Sequence, residues 1–183
     1  MFIQTEQTPN PATIKFIPGQ IVMAQGSAEF READQAGRSP LAMRLFRIDG
    51  VAAVFLASDF VSVTRDADSD WSFLKPQVLA AIMEHYLSGL PVIEGAVEVA
   101  DNGIESELVL QIRELLDTRV RPAVARDGGD IDFVKFEDGI VWLQMKGACA
   151  GCPSSTATLK LGIENMLKHY VPEIKSVEQY QGF

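Results

Sequence analysis

Ile140-Val-Trp-Leu-Gln-Met-Lys-Gly-Ala-Cys-Ala-Gly-Cys-Pro-Ser-Ser-Thr156 is the stretch of sequence around which the rest of the chain is organised. Its first residues place Val141, Leu143 and Met145 on one face by alternation, which predicts a β-strand. Farther along, apolar residues recur at helical spacing, at Leu159, Ile163, Met166, Leu167 and Tyr170. Pro153 suits the first position of that helix, and the hydroxyl side chains after it can accept hydrogen bonds from free backbone N–H groups. The stretch therefore predicts a strand, a short turn and a helix.

The turn carries Cys149 and Cys152, which are the only two cysteines of the chain. A helix N-terminus bears a partial positive charge and unpaired N–H groups, and both lower the pKa of a nearby thiol. The other residues of the turn are small, so both sulfur atoms can face the same object: Gly147, Ala148, Ala150 and Gly151. We therefore expect a pair of thiolate-forming cysteines that is either reactive or binds a metal.

The composition is that of a globular protein with a hydrophobic core and an excess of acidic residues. Of the 183 residues, 47% are hydrophobic and 22% are charged, and the formal net charge is −9. Binding to a phosphate backbone needs clustered Lys and Arg, which the sequence lacks, so we expect no nucleic-acid partner. The sequence also lacks a run of about 18 apolar residues that would span a membrane, so we expect no membrane partner.

The first residues and the cysteine count lead to an expectation about location. Met1–Glu6 contain no basic residue and begin no long apolar segment, so we expect no secretory or import peptide. A single close pair of cysteines is not the disulfide framework of a small secreted protein. With Met1 present, the sequence predicts a bacterial cytoplasmic protein in preference to one of the mitochondrial matrix whose import peptide has been removed.

Element by element, the pattern predicts an α+β fold with two small domains, residues 1–90 and 104–183, joined by a linker over residues 91–103. The first domain has the predicted order β-β-α-β-β-α, with Phe2–Gln4, Thr13–Ile17, Ser39–Phe46, Val51–Leu56, Phe60–Thr64 and Trp71–Leu90. Pro76 fits the last of these helices only in its first turn. The second domain has the predicted order α-β-β-α-β: a helix from Leu108 that Pro122 closes or kinks, strands at Ile131–Phe136 and Ile140–Lys146, the helix after the cysteines, and a strand within Ile174–Tyr180.

The spacing of the two cysteines is compatible with several chemistries. A redox dithiol, half of a zinc site, half of an iron–sulfur site and an inert structural pair all remain open. A thioredoxin-like fold places its pair early in a domain and continues with a longer sheet. Here the pair follows a β-hairpin and precedes only a helix and one strand, which disfavours the redox interpretation.

For the two metal interpretations the number of ligands matters most. Tetrahedral zinc and cubane clusters take four protein ligands, and one chain offers two sulfur atoms. His169 is expected roughly 20 Å along the following helix, and His85 belongs to the other domain. Each histidine is more simply explained as exposed or packed in a core. The simplest complete site therefore uses Cys149 and Cys152 from each of two chains.

Longer motifs add a family resemblance to this interpretation. The second half contains Arg121-Pro-Ala-Val-Ala-Arg-Asp-Gly-Gly-Asp130, Asp138-Gly139, Gly147-Ala-Cys-Ala-Gly-Cys-Pro-Ser-Ser-Thr156 and Leu159-Lys-Leu-Gly-Ile-Glu164. With these motifs, residues 104–180 closely resemble the NifU-like C-terminal domain, the cluster-binding domain of the Nfu family of iron–sulfur scaffold and carrier proteins. The first half resembles the Nfu N-terminal domain through Thr8-Pro-Asn-Pro11, Lys15-Phe-Ile-Pro-Gly19, Ser39-Pro-Leu-Ala42, Leu45-Phe46, Gly50-Val51, Asp59-Phe60 and Trp71.

The resemblance implies a specific activity. Two chains would form a homodimer around one [4Fe–4S] cluster held by the Cys149 and Cys152 thiolates, and would pass the cluster to recipient apoproteins. The first domain would dock those recipients or cluster assembly factors. Transfer by ligand exchange needs no general acid or base, so the resemblance implies a carrier and not an enzyme. The remaining alternative is a thiol–disulfide oxidoreductase that uses the Cys149/Cys152 dithiol.

Overall fold

The computed structural model describes residues 1–95, 106–150 and 153–180, except for the side chains of residues 153–155. It divides the chain into two compact units, residues 1–99 and 100–183. Each unit has its own cluster of buried apolar side chains. Because helices and antiparallel strands are mixed in both units, the predicted α+β class is confirmed.

The first unit is an antiparallel sheet covered by helices. Its elements are β1 (Gln4–Gln7), β2 (Thr13–Ile17), β3 (Ala28–Phe30), a 3₁₀ helix (Ala33–Arg38), α1 (Pro40–Phe46), β4 (Val51–Leu56), β5 (Val61–Arg65) and α2 (Trp71–Ser88). Within residues 1–95 the strand order is β1-β2-β5-β4-β3, and every neighbouring pair is antiparallel. Ser39 begins α1 as predicted, because its hydroxyl accepts a hydrogen bond from the backbone N–H of Ala42.

Three features of this unit differ from the sequence prediction. Strand β1 covers Gln4–Gln7 and not Phe2–Gln4. Strand β3 and the 3₁₀ helix after it were not predicted, since three residues are too few to show an alternating pattern. In addition, Pro76 lies inside α2 and not in its first turn. Proline has no N–H, so the carbonyl of Ser72 loses its usual helical donor there. The buried side chains of Leu74, Val78 and Ile82 keep the helix on the sheet despite this loss.

The second unit is a smaller sheet with a parallel edge. Its elements are α3 (Glu107–Leu115), a π-helical turn (Leu116–Val120), α4 (Arg121–Arg126), β6 (Gly129–Glu137), β7 (Ile140–Gly147), α5 (Pro153–Tyr170) and β8 (Ser176–Gln179). Strands β6 and β7 form an antiparallel hairpin, and β8 lies parallel to β7. The hairpin turn has positive φ at both Asp138 and Gly139, as expected of a two-residue connection.

Pro122 does not close the first helix of this unit, which was one of the two predicted outcomes. The first helix of this unit does not end there: it passes through the π-helical turn and restarts as α4, with Pro122 in the first turn. A first-turn N–H has no helical acceptor, so proline costs little at that position. The change of helical winding falls just before the proline, where it realigns the chain.

His85 is a core residue of the first unit. Its exposed fraction is 0%, and neither ring nitrogen has a hydrogen-bond partner within residues 1–95, 106–150 and 153–180. The ring edge packs against Tyr86, with the ring centroids 5.7 Å apart. Burial, and secondarily the charge of Arg44, lower the pKa of His85 below its ordinary value. The imidazole is therefore held in its neutral form.

Acidification should destabilise this unit through His85. The unfolded chain takes up the proton near the ordinary histidine pKa of about 6.5, whereas the folded unit takes it up only at lower pH. The free energy of unfolding should therefore fall as the pH drops below about 6.5. Urea unfolding at several pH values, followed by Trp71 fluorescence in a Trp142→Phe background, measures this dependence.

The control is His85→Phe, which keeps an aromatic ring in the cavity without a titratable group. As the pH drops below about 6.5, the free energy of unfolding of this variant should fall less than that of the wild type. An unchanged pH dependence in His85→Phe would show that other groups are responsible.

Candidate metal centre

Cys149 lies on the turn between β7 and α5, as the sequence predicts. The turn begins at Gly147, whose φ is 63°, and α5 begins at Pro153. The backbone N–H of Ala148 donates to the carbonyl of Gly128 at 3.1 Å, which joins this turn to the loop before β6. Gly151 and Cys152 lie outside the described residues. The structure therefore places one predicted ligand and is silent on the other.

The side chain of Cys149 packs inward. Its exposed fraction is 7%, and it belongs to the apolar core of the second unit together with Met145 and Ile163. The hydroxyl of Thr156 donates to the Cys149 carbonyl at 3.1 Å, which fixes the first turn of α5 to the cysteine. The thiol is thus enclosed between the end of β7 and the beginning of α5.

Gly129 makes the space that the sulfur occupies. It is the first residue of β6 and pairs with Gly147 at the open end of the hairpin. A Cβ at position 129 would lie 2.4 Å from the Cys149 Sγ and 2.9 Å from the Lys146 carbonyl oxygen. Either glycine of Asp127–Asp130 could adopt a positive φ in a turn. Only Gly128 has one, at 76°, and Gly129 is instead required for space.

The predicted effect of the helix N-terminus on the Cys149 thiol is wrong. Burial, and secondarily the negative charges of Asp127 and Asp130, together raise the pKa of Cys149 to about 12. Loss of solvation and two nearby carboxylates outweigh a helix terminus, whose influence is limited to its first turn. Cys149 is therefore a protonated, enclosed thiol and not a free thiolate.

Beside the turn lies a network of ion pairs, which sequence reasoning missed. The guanidinium of Arg121 lies 3.1 Å from Asp117, 3.6 Å from Asp130 and 3.2 Å from Asp132. Lys146, directly before the cysteine turn, also pairs with Asp132. The network connects α4, β6 and the end of β7. Its signal in the sequence is the alternation of Asp130 and Asp132, which places both carboxylates on one face of β6.

The described part of the chain contains no preformed group of metal-binding side chains. In residues 1–95, 106–150 and 153–180, no three His, Cys, Asp or Glu side chains are grouped as a metal site. His169 lies near the far end of α5, about 24 Å along the helix axis from its start, and its ring packs against Tyr170. A thiol donor on a turn lined by glycine and alanine fits a soft metal or a cluster with thiolate ligands.

Comparison with known families matches both halves of the chain. The model described as "Scaffold protein Nfu/NifU N terminal" matches residues 3–89. The model described as "NifU-like domain" matches residues 112–178. Together these two matches cover most of the chain.

Curated relatives give the same assignment at high identity. One is "NFU1 iron-sulfur cluster scaffold homolog, mitochondrial" from Drosophila persimilis, 50% identical over 183 residues, which are 98% of this chain and 65% of the relative. Another is "NifU-like protein 4, mitochondrial" from Arabidopsis thaliana, 53% identical over 186 residues, which are 98% of this chain and 66% of the relative. The chain thus spans slightly less than two thirds of the length of the curated relatives it matches.

Similarity to solved structures is weaker. The solution structure of a NifU-like protein from Saccharomyces cerevisiae aligns with a TM-score of 0.48 and 23% identity. The alignment covers 52% of this chain and 87% of the yeast chain.

The predicted bacterial cytoplasmic location is wrong by these comparisons. The relatives from Drosophila and Arabidopsis are named as mitochondrial proteins. The prediction depended on the first residues of the chain. Because the chain covers under two thirds of each of these relatives, its first residues do not show where the protein is located. Within the described residues, no helix has both the length and the apolar character required to span a membrane.

Filling the space beneath Cys149 should disturb the second unit. Gly129→Ala must displace the cysteine sulfur or the strand, and we expect a loss of about 1–3 kcal/mol in the free energy of unfolding. The displaced thiol should also react faster with iodoacetamide, because it leaves the core. Urea unfolding and timed alkylation with mass spectrometry measure the two effects.

Gly162→Ala is the matched control. Gly162 lies in α5, and a Cβ there would meet no atom within 4 Å. Alanine should therefore raise the free energy of unfolding by about 0.5–1 kcal/mol through helix propensity and leave Cys149 alkylation unchanged. Equal effects of the two substitutions would contradict the role assigned to Gly129.

Proposed function

This chain belongs to the Nfu family of iron–sulfur cluster scaffold proteins, and we propose that it carries a [4Fe–4S] cluster on the thiolates of Cys149 and Cys152. The cluster is cargo: the protein binds it and passes it to recipient apoproteins. The observation that carries this proposal is the position of Cys149 on a small-residue turn between β7 and α5, above Gly129.

The ligand count supports a shared site. A cubane normally takes four protein ligands, most often thiolates, and each chain contains two cysteines. We propose that two chains each contribute Cys149 and Cys152, so that the cluster holds a homodimer together. In the described residues, no three His, Cys, Asp or Glu side chains are grouped as an alternative site.

Enclosure of Cys149 supports a carrier that binds its cargo temporarily. The thiol must lose its proton and leave its packed position before the sulfur can reach a cluster shared with another chain. Repacking the thiol after release regains buried apolar surface, on the order of 1 kcal/mol. That gain changes the balance between retention and release by about fivefold. The packed state of the cysteine therefore favours delivery of the cluster.

The same observations disfavour the thiol–disulfide oxidoreductase. The attacking sulfur of such an enzyme must be a thiolate near neutral pH, and its pKa is correspondingly low. Burial and two carboxylates instead raise the pKa of Cys149. Cluster transfer proceeds by exchange of thiolate ligands and requires no general acid or base, so we propose that the protein is not an enzyme.

We assign separate roles to the two halves of the chain. Residues 104–183 would hold the cluster, residues 91–103 would act as a linker, and residues 1–90 would dock recipient apoproteins or assembly factors. The first half has its own apolar core and contains no cysteine, which supports a role in recognition and not in cluster ligation.

Anaerobic reconstitution tests the cluster assignment. Full-length protein loaded with ferrous iron and sulfide should turn brown and contain about four irons and about four sulfides per two chains. Cys149→Ala and Cys152→Ala should each abolish the bound iron and the visible absorbance. His169→Ala should leave both unchanged, because this histidine lies at the far end of α5.

Transfer is measured with an apoprotein whose activity requires a [4Fe–4S] cluster. Loaded wild-type protein should restore that activity faster than free iron and sulfide in the presence of a chelator. Protein that binds iron without sulfide, or that reduces disulfides catalytically with a dithiol donor, would contradict the proposal.

A further inference from the structure

The site contains a conflict of charge. A cubane held by four thiolates carries a net negative charge, which nearby carboxylates oppose. Asp127 and Asp130 flank Gly128 and Gly129, and both glycines contact the cysteine turn: the carbonyl of Gly128 accepts from the N–H of Ala148, and Gly129 lies against the Cys149 sulfur. An anionic cluster bound at Cys149 would therefore meet two negative side chains. A cation is needed next to them.

Arg121 is placed to supply that cation. It stands at the start of α4, and its Nε lies 3.6 Å from the Oδ1 of Asp130. Its Nη2 lies 3.2 Å from the Oδ1 of Asp132, two residues farther along β6. The Asp130 side chain is only 15% exposed, so water screens its charge incompletely. The guanidinium thus reduces the negative field of β6 beside the cysteine turn.

The same contacts connect both loops of the site. Asp132 pairs with Arg121 and with Lys146, and Lys146 directly precedes Gly147. Through these pairs Arg121 holds the start of α4 against the two strands that lead to Gly129 and to Cys149. The Arg121 side chain therefore both offsets the negative charge of β6 and holds the two loops of the site together.

We propose that Arg121 is a positioning residue of the cluster site, which offsets the carboxylate of Asp130 so that the site accepts an anionic cluster. This inference rests on the proposed function. Arg121 does not ligate the cluster: it acts through Asp130 and Asp132. The Arg121 side chain is 39% exposed and lies outside the apolar core of the unit, so we expect a variant without the guanidinium to keep its fold.

Retention of the cluster by charge variants tests the inference. Arg121→Gln, loaded anaerobically, should lose its visible absorbance to a ferrous-iron chelator about tenfold faster than wild type. Its cluster should also have a lower reduction potential, because a positive charge near it is gone. Asp130→Asn should retain the cluster at least as long as wild type. The double variant Arg121→Gln/Asp130→Asn should return to within about twofold of wild type, because the opposed carboxylate is also removed.

Lys135→Gln is the matched control. Like Arg121→Gln, it removes one positive charge from the protein. The cation that it removes lies on β6 and pairs with Glu137 at the other end of the hairpin. Position 135 is about 20 Å along the strand from Gly129, beyond the screening length at physiological salt. This variant should behave as wild type. Thermal unfolding of every variant verifies that its fold is intact.

The outcomes separate this inference from the proposed function. Wild type that takes up no cluster contradicts the function itself. Wild type that takes up a cluster, with Arg121→Gln no different from Lys135→Gln, overturns only the role of Arg121. A double variant as defective as Arg121→Gln alone also overturns it, because a purely structural tether cannot be restored by removing its partner.

Discussion

The contact between the Cys149 sulfur and the backbone of Gly129 determines the geometry of the second unit. Any side chain at position 129 would occupy the place of the sulfur. The contact brings the start of β6 against the end of β7, and Thr156 then fixes the first turn of α5 to the same cysteine. Three elements are thus arranged around one thiol. In the proposed function, its roles as core residue and as cluster ligand would exclude each other, and the protein would have to exchange one for the other.

Local sequence patterns predicted the elements of this site but not its environment. Alternating apolar residues predicted β7, and helical spacing after Pro153 predicted α5. These are interactions between near neighbours in the sequence. The burial of Cys149 depends on Gly129, which lies twenty positions earlier in the sequence. A pattern of near neighbours cannot predict a contact over that separation. The predicted low pKa failed for the same reason, because burial of the thiol and the carboxylates of Asp127 and Asp130, all set by contacts with a distant part of the sequence, raise the pKa of Cys149.

In the first unit the sequence prediction failed where segments are short or where packing overrides a local rule. Strand β3 has three residues, and only its pairing with β4 makes it a strand. Pro76 breaks one helical hydrogen bond, yet α2 continues because its apolar face is buried. Tertiary contacts decide both cases. The order of the other elements and the α+β class could be predicted from the sequence, because both follow from hydrophobic periodicity and turn residues alone.

In the proposed function, the site would be a compromise between holding and releasing an anionic cargo. Enclosure of the thiol and the charge of Asp130 would oppose binding, whereas a second chain and the guanidinium of Arg121 would favour it. The sharing of one cluster by two chains is the central claim. Native mass spectrometry of anaerobically loaded protein tests it most directly. The account predicts a species with the mass of two chains plus one Fe₄S₄ unit. A single chain that retains the whole Fe₄S₄ mass would contradict it.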